Sequence, residues 1–455
     1  MENQWQQGNI IQLEITDLSN NGDGISRLDG RVVFVPNTVT GDLITARLVR
    51  VKSQYGYGKL EQIIEPSPHR IRPRCLVADK CGGCQWQHID DSFQLLTKQD
   101  QVLQTLQRIG GFENIKIEPI LASKETLGYR NKATYPLARS TTGIVQAGYY
   151  RQGSHQLINL NQCPVQDHRL NPFLAEIKQD IQARGWSIYN ESKHQGKLRH
   201  LSLRIGRNTG EVLLTLVSTA WQLPGLEEQT QQWLNKYPQL VGVVLNYNPV
   251  QTNVIFGKKS RFIAGNSYLE EKFGGLKFQL ASDTFFQVNT EGAELLLNKI
   301  LAVLNLQGNE ILLDAYCGIG TFTLPLAQKV KQAYGIEIQA VSIDQANINA
   351  KINQIDNVTF YQGKVEKILT EIDFIPDLVL LDPPRKGCDR RVIESLLTLK
   401  PPTIIYISCQ PATLARDLKL LCQNQDYQLK LIQPIDFFPQ TSHVEVAVFL
   451  EKQHH

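Results

Sequence analysis

From about residue 276 onward, short apolar runs alternate with helical patterns. "EILLDAYC", "QAYGIEI", "VTFYQG", "DLVLLDPP" and "TIIYISC" read as strands, with helices between them. This alternation restricts the fold more than any other feature. Parallel strands cannot be joined by tight turns, so each needs a crossover, usually a helix, and a sheet covered on both faces reads as near-continuous apolar runs. The expected result is a mostly parallel, doubly wound α/β sheet whose ligands bind in the crevice at the carboxyl ends of the strands. The closing stretch, "YQLKLIQPIDFFPQTSHVEVAVFLEK", offers two further strands with a loop between them.

Upstream the patterns differ. Within residues 9–65, "VVFVP", "LITARLVRV" and "KLEQII" are short strands separated by the turn signals "NGDG", "LDG" and "TGD", which suggests a small closed β-barrel. The Pro-rich, basic stretch 65–74 reads as a linker. Residues 91–112 read as a helix, with Phe93, Leu96, Leu103, Leu106 and Ile109 near one face and Gly110-Gly111 as its end. Residues 127–272 mix strands ("HLSLRIGR", "EVLLTLVS", "VGVVLNYN") with helices ("AEIKQDIQARG", "LEEQTQQWLNKY"), as in an α+β domain. The chain is thus expected to be multidomain, and 42% hydrophobic and 20% charged residues are ordinary for globular cores.

No stretch is long and apolar enough for a membrane span, and "MENQWQQGN" lacks the basic-then-apolar pattern of a signal peptide. The expected location is the cytoplasm, without membrane attachment, where thiols stay reduced. The net charge of +3 says little about partners, but residues 101–200 hold 13 Lys/Arg against 7 Asp/Glu. That excess suits either a polyanion or a solvated face.

The carboxyl ends of the candidate parallel strands carry the chemistry. "DAYCGIGTFTL" sets two glycines where a backbone turns tightly toward a ligand at a helix start, and Glu337 ends the next strand, 23 residues after Asp314. An acidic residue at about that separation grips a ribose diol. The full G-x-G-x-x-G is absent, so S-adenosylmethionine suits the site better than a dinucleotide. Asp382 of "LLDPPRKG" and Cys409 of "IYISCQPATLARD" end the following strands and should flank one crevice. A thiolate beside a methyl donor has a defined use. Added to C6 of uracil, it makes C5 nucleophilic enough to take a methyl group, and a base must then remove the C5 proton. Glu445, at the start of the last strand, is the candidate base.

A second cysteine set, Cys75, Cys81 and Cys84, is spaced C-x5-C-x2-C around Gly82-Gly83, with Cys163 as the fourth candidate ligand. Four thiolates suit zinc or an iron–sulfur cluster, and the spacing does not choose between them.

"DAYCGIG", "LDPPRKG", "SCQPATLARDL" and "FPQTSHVE", in this order, resemble the bacterial RNA uracil-C5 methyltransferases, including enzymes of 23S ribosomal RNA and of tRNA. The resemblance implies a C-terminal Rossmann-like class I methyltransferase domain (91–126 and 273–455). It further implies an α+β middle domain with a metal cluster (67–90 and 127–272) and an OB-like TRAM barrel that binds RNA (1–66). It makes Cys409 the nucleophile, with a thiol that ionises more readily than usual, and Glu445 the base. It sets Gln287, Tyr316, Glu337 and Asp382 around S-adenosylmethionine and leaves Lys364 without a role. It implies a 4Fe–4S cluster, with zinc as the alternative, on Cys75, Cys81, Cys84 and Cys163. The expected substrate is 23S ribosomal RNA, with no obligate protein partner. The alternatives are tRNA, or a non-catalytic RNA-binding protein on the same fold.

Overall fold

A computed structural model describes residues 5–453; the first four residues of the expected barrel, and of the opening read for a leader, lie outside the described residues. The N-terminal unit is a six-stranded sheet in the order Ile10–Glu14, Leu43–Val51, Tyr55–Glu65, Arg31–Val35, Gly24–Leu28, Asp17–Leu18. It curls shut because the chain leaving the first strand runs on into Asp17–Leu18 at the far edge, and Thr16 N–H donates to the Ile25 carbonyl of the adjoining strand (2.9 Å). Alternate residues Ile11, Leu13, Val33, Val35, Ile44, Ala46 and Leu48 fill the interior. The basic linker is docked: Arg70 Nη2 pairs with the buried Asp42 carboxylate at 2.5 Å.

The central unit is a seven-stranded sheet ordered Leu157–Asn159, Val145–Tyr150, Lys132–Arg139, Leu198–Ile205, Val212–Ser218, Leu240–Tyr247, Lys259–Gly265. Its one parallel pair, Val212–Ser218 with Leu240–Tyr247, is bridged by helix Leu226–Lys236, as a parallel crossover requires. A hairpin, Tyr268–Phe273 with Leu276–Ala281, spans the expected 272/273 boundary, and its Leu269, Phe273 and Phe278 enter the C-terminal core.

The C-terminal sheet has eight strands in the order Val358–Gln362, Gln332–Glu337, Ile311–Asp314, Leu378–Leu381, Thr403–Ser408, Glu445–Lys452, Tyr427–Asp436, Leu121–Ala122. The first five are parallel, and Glu445–Lys452 runs antiparallel to both of its neighbours. Leu378–Leu381 is buried throughout, as a strand covered on both faces must be. Among the described residues no helix is long and apolar enough to cross a membrane.

One expectation needs correction. The helix spans Asp91–Thr105, continued by a wider turn at Leu106–Gly110, and of the expected apolar stripe Leu106 is buried and Phe93 and Leu103 half-buried, while the rest faces solvent. Leu96 is 63% and Ile109 45% exposed, while Gln94, Lys98, Gln101, Val102 and Thr105 are buried. The polar side chains are buried because they meet charged and carbonyl partners, Gln101 at Leu18 and Ser19 of the barrel, Gln94 at Trp86, Ile89 and Gln440, and Lys98 at the end of strand Tyr427–Asp436. Lys98 Nζ donates to Asp436 (2.7 Å) and to the Phe438 carbonyl (3.1 Å).

Candidate active site

The site is assembled by strand ends. Ser408 pairs with Val446 across antiparallel strands, so one step further the register sets Cys409 opposite Glu445. Leu381 pairs with Tyr406 on the other side of the Cys409 strand, which brings Asp382 to the same edge. The loop after Asp382 is held by the helix that follows Cys409. Asp417 accepts from Tyr406 Oη (2.6 Å) and from Cys388 N–H (2.9 Å), and Arg416 Nη2 donates to the Lys386 carbonyl (3.0 Å). Gly387 sits at φ +78°, and a Cβ there would lie 2.5 Å from Asp417 Oδ2, so both backbone and space call for glycine. The acidic and basic residues of "LARD" thus lock the "DPPRKG" loop beside the thiol.

Electrostatics couple these groups. Burial pushes the Glu445 carboxyl up to about 8, with the nearby Asp382 charge adding to the rise and Arg385 opposing it. Burial and then Asp314 push Asp382 up to about 7. Asp314, which accepts from Thr323 Oγ1 (2.6 Å), is pushed to about 6 by burial, against that hydrogen bond and that of Tyr316 N–H. The Cys409 thiol is raised to about 11, first by burial and then by Glu445, with Arg385 pulling it down. This corrects the expectation of an unusually acidic thiol. Burial disfavours the charged thiolate, and the neighbouring Glu445 and Asp382 carboxyl groups add to that cost. Burial, followed by Arg385 and Lys98, holds His443 below the ordinary imidazole range.

Of the residues expected on the cofactor side, Tyr316 follows strand Ile311–Asp314 and Glu337 ends strand Gln332–Glu337, while Gln287 lies ahead of helix Thr290–Leu304. Gly318 and Gly320 both have left-handed φ (+55° and +83°), as a tight turn between strand and helix demands. Tyr316 donates its N–H to Asp314 Oδ1 (3.3 Å), and its phenol lies against Cys388. The Glu337 carboxylate accepts from Gln339 N–H (2.8 Å), and its charge reaches Asp314. Gln287 is held through a different contact: its carbonyl accepts from Asn131 Nδ2 at 2.8 Å. The structure therefore brings Asp382, Cys409 and Glu445 together and links Tyr316 and Glu337 to them through Asp314. Lys364 precedes the short helix Val365–Ile368. Sequence reasoning missed Arg385, although it directly follows the Asp-Pro-Pro it had singled out.

Among the described residues no three His, Cys, Asp or Glu side chains are gathered tightly enough to hold a metal ion, so the expected four-cysteine centre is not assembled as one. The four thiols nevertheless share a neighbourhood. Cys84 and Cys163 contribute to one buried group with Tyr129, Val165 and Tyr149, and the ionisation of Cys84 is opposed by Cys163, Cys81 and Cys75. Burial drives Cys84 up to about 12 and raises Cys81 and Cys163 as well. A cleft of about 780 Å³ opens beside Cys84, walled by the barrel (Lys59, Arg70) and the central unit (Lys80, Arg151).

Comparison with known proteins places this geometry. Residues 91–453 match the family model described as tRNA (Uracil-5-)-methyltransferase, and residues 4–60 match the TRAM domain. An uncharacterized RNA methyltransferase of Nostoc sp. is 63% identical over 446 residues, covering 98% of this chain and 97% of that protein. One from Synechocystis sp. is 57% identical, over 98% and 96%. Among solved structures, the Pyrococcus abyssi tRNA (uracil-54, C5)-methyltransferase in complex with S-adenosyl-L-homocysteine superposes with a TM-score of 0.77 at 29% identity, covering 97% of this chain and 100% of that one.

Proposed function

The chain belongs to the tRNA (uracil-5-)-methyltransferase family and is an RNA methyltransferase with a TRAM domain, and from that premise we propose that it methylates uracil C5 through a covalent Cys409 adduct resolved by Glu445. The observation that carries this reading is the register setting a thiol opposite a buried carboxyl, with a second carboxyl on the adjoining strand.

Gln287, Tyr316, Glu337 and Asp382 would hold S-adenosylmethionine, which supplies an electrophilic methyl group when bound. The donor set fits: Glu337 is poised for a ribose diol, and Asp382 and Asp314 put negative charge where a sulfonium would be favoured. Cys409 Sγ forms a bond to uracil C6 and passes its proton to the surrounding acid–base groups. C5 takes the methyl group, whose bond to the donor's sulfonium sulfur would break and leave its electron pair on sulfur as a neutral thioether. Glu445 then accepts the C5 proton, the ring double bond re-forms, and the C6–S bond breaks to release Cys409.

Glu445 must be ionised to accept that proton, and its raised value means it is largely protonated at pH 7. Adduct resolution is therefore expected to rise about tenfold per pH unit below about 7.5 and to level off above 8. Arg385→Met should move the inflection upward, because Arg385 opposes the shift. A single-turnover rate profile from pH 6 to 9.5 checks both.

The four cysteines fit a thiolate-ligated centre by donor chemistry: four soft ligands with mutually coupled ionisation, which a cation would relieve. Cys75, Cys81, Cys84 and Cys163 would hold a 4Fe–4S cluster, with zinc as the alternative, in a structural role. Protein purified without oxygen is expected to be brown, and Cys81→Ser to bleach it. A colourless protein with one stoichiometric zinc would assign zinc instead.

The substrate we favour is 23S ribosomal RNA, supported by the conjunction of the barrel with the cysteine set. A tRNA substrate is the second reading. The Pyrococcus abyssi enzyme named for tRNA spans 97% of this chain, barrel included, so the barrel by itself does not discriminate. Incubation with labelled S-adenosylmethionine and total RNA, followed by mapping of the labelled nucleotide, tests the reading. Label on C5 of a 23S uridine is expected; label confined to tRNA moves the assignment there, and absence of label on either refutes it.

A further inference from the structure

Glu445 is reached from a loop, 437–444, whose shape depends on one residue. Gln440 lies at φ +70°, a conformation that non-glycine residues keep only when their surroundings hold it, and it is 5% exposed. All four of its polar groups are taken by one segment far away in sequence. Its N–H donates to Gln94 Oε1 (3.0 Å), and its carbonyl accepts from Trp86 N–H (3.0 Å). Its side-chain amide donates to Asp91 (2.8 Å) and accepts from Gln94 Nε2 (3.3 Å). The preceding carbonyl, of Pro439, accepts from Tyr129 Oη (3.1 Å). Trp86 follows Cys84 by two residues, and Tyr129 packs in the same buried group as Cys84 and Cys163.

We propose that Trp86 and Gln94, on Gln440, and Tyr129, on Pro439, form a clamp that positions Glu445, and that the four-cysteine neighbourhood thereby governs removal of the C5 proton. The clamp residues are positioning residues: they hold the loop, not the substrate. Proton transfer needs the base within hydrogen-bond reach of the proton, so a loop that wanders slows this step more than methyl transfer, which uses groups on other strands. The inference rests on the proposed covalent chemistry.

The test uses full-length Tyr129→Phe and Gln94→Leu, with Cys84→Ser as the arm that probes the cysteine set. The first measurement is the lifetime of the covalent protein–RNA complex in single turnover. It should lengthen about fivefold in Tyr129→Phe, which loses one hydrogen bond, and tenfold or more in Gln94→Leu, with S-adenosylmethionine affinity unchanged within about twofold. The second is amide hydrogen exchange of residues 437–445 in the free protein, which should quicken by similar factors in both variants and in Cys84→Ser. Should Gln94→Leu fail to fold, Tyr129→Phe decides alone. Wild-type lifetime and exchange in Tyr129→Phe would overturn the clamp. Unchanged exchange in Cys84→Ser would overturn the link to the cysteines. A wild-type protein that methylates RNA without forming the complex would refute the covalent chemistry and not the clamp, whose exchange signature stands apart from turnover.

Discussion

Cys409→Ala is expected to abolish RNA methylation, with a loss of at least about 10³-fold in turnover, while S-adenosylmethionine binding stays close to the wild-type value. The size of the effect follows from the chemistry. Uracil C5 is a poor nucleophile until C6 is saturated, and no other thiol is at this strand end: Cys317 is held in the glycine turn and Cys388 beside Tyr406 and Asp417. The affinity should survive because Glu337, Tyr316 and Asp382 stand on or after other strands. The thiol's position at about 11 adds a signature. Alkylation of Cys409 by a neutral maleimide in the free protein should be slow at pH 7 and quicken with pH well past 8. Arg385→Met should slow it further, because Arg385 is the one nearby charge that favours the thiolate. Rapid alkylation at pH 7 would mean that the carboxyl groups do not act on the thiol as described.

Lys98→Met is expected to cost about 3–5 kcal/mol of stability, the largest single loss outside the site chemistry. The ammonium is fully buried, and its partner Asp436 is 3% exposed in its side chain. Removing the cation strands a carboxylate in the interior and takes one of three donors from the Phe438 carbonyl, which keeps those of Thr441. The Trp86 ring, 5.8 Å from Nζ, loses a cation neighbour as well. The double variant Lys98→Met, Asp436→Leu should recover most of the loss, since a matched apolar pair carries no unpaired charge. Denaturant titration followed by a probe in the C-terminal domain checks this. Equal stability of the single and double variants would show that Asp436 is not left unpaired.

Much of this architecture was legible. The parallel sheet announces itself because its strands are covered on both faces and so are apolar at nearly every position, as in Leu378–Leu381. The barrel was readable from its turns, and the carboxyl-end motifs from the rule that open α/β sheets bind ligands there. What stayed hidden depends on partners distant in sequence. Helix Asp91–Thr105 looked amphipathic with Leu96 and Ile109 inward, yet those side chains face solvent and Gln94 and Lys98 do not. Lys98 meets Asp436, 338 residues away, and Gln94 meets Gln440, 346 residues away, besides the nearby Trp86 and Ile89 carbonyls, so helical periodicity alone did not reveal that a polar face would be buried. The Cys409 thiol is a second case. Its shift arises first from burial and then from Glu445 and Asp382, against Arg385, which different segments bring to one edge, and no single motif contains that sum. The cysteine set is a third: its spacing announced a centre, while its geometry depends on how Tyr129 and Tyr149 pack among the thiols.

The covalent chemistry is tested most directly with Glu445→Gln, incubated with S-adenosylmethionine and the RNA that accepts methyl groups, then resolved under denaturing conditions and weighed by mass spectrometry. The amide is close in size to the carboxyl it replaces but cannot take up the C5 proton. The account predicts a protein–RNA species that survives denaturation, carries one added methyl group on the uracil, maps to a peptide containing Cys409, and is absent from Cys409→Ala, Glu445→Gln. A Glu445→Gln protein that turns over at the wild-type rate with no such species, or a species that persists in the double variant, would contradict it.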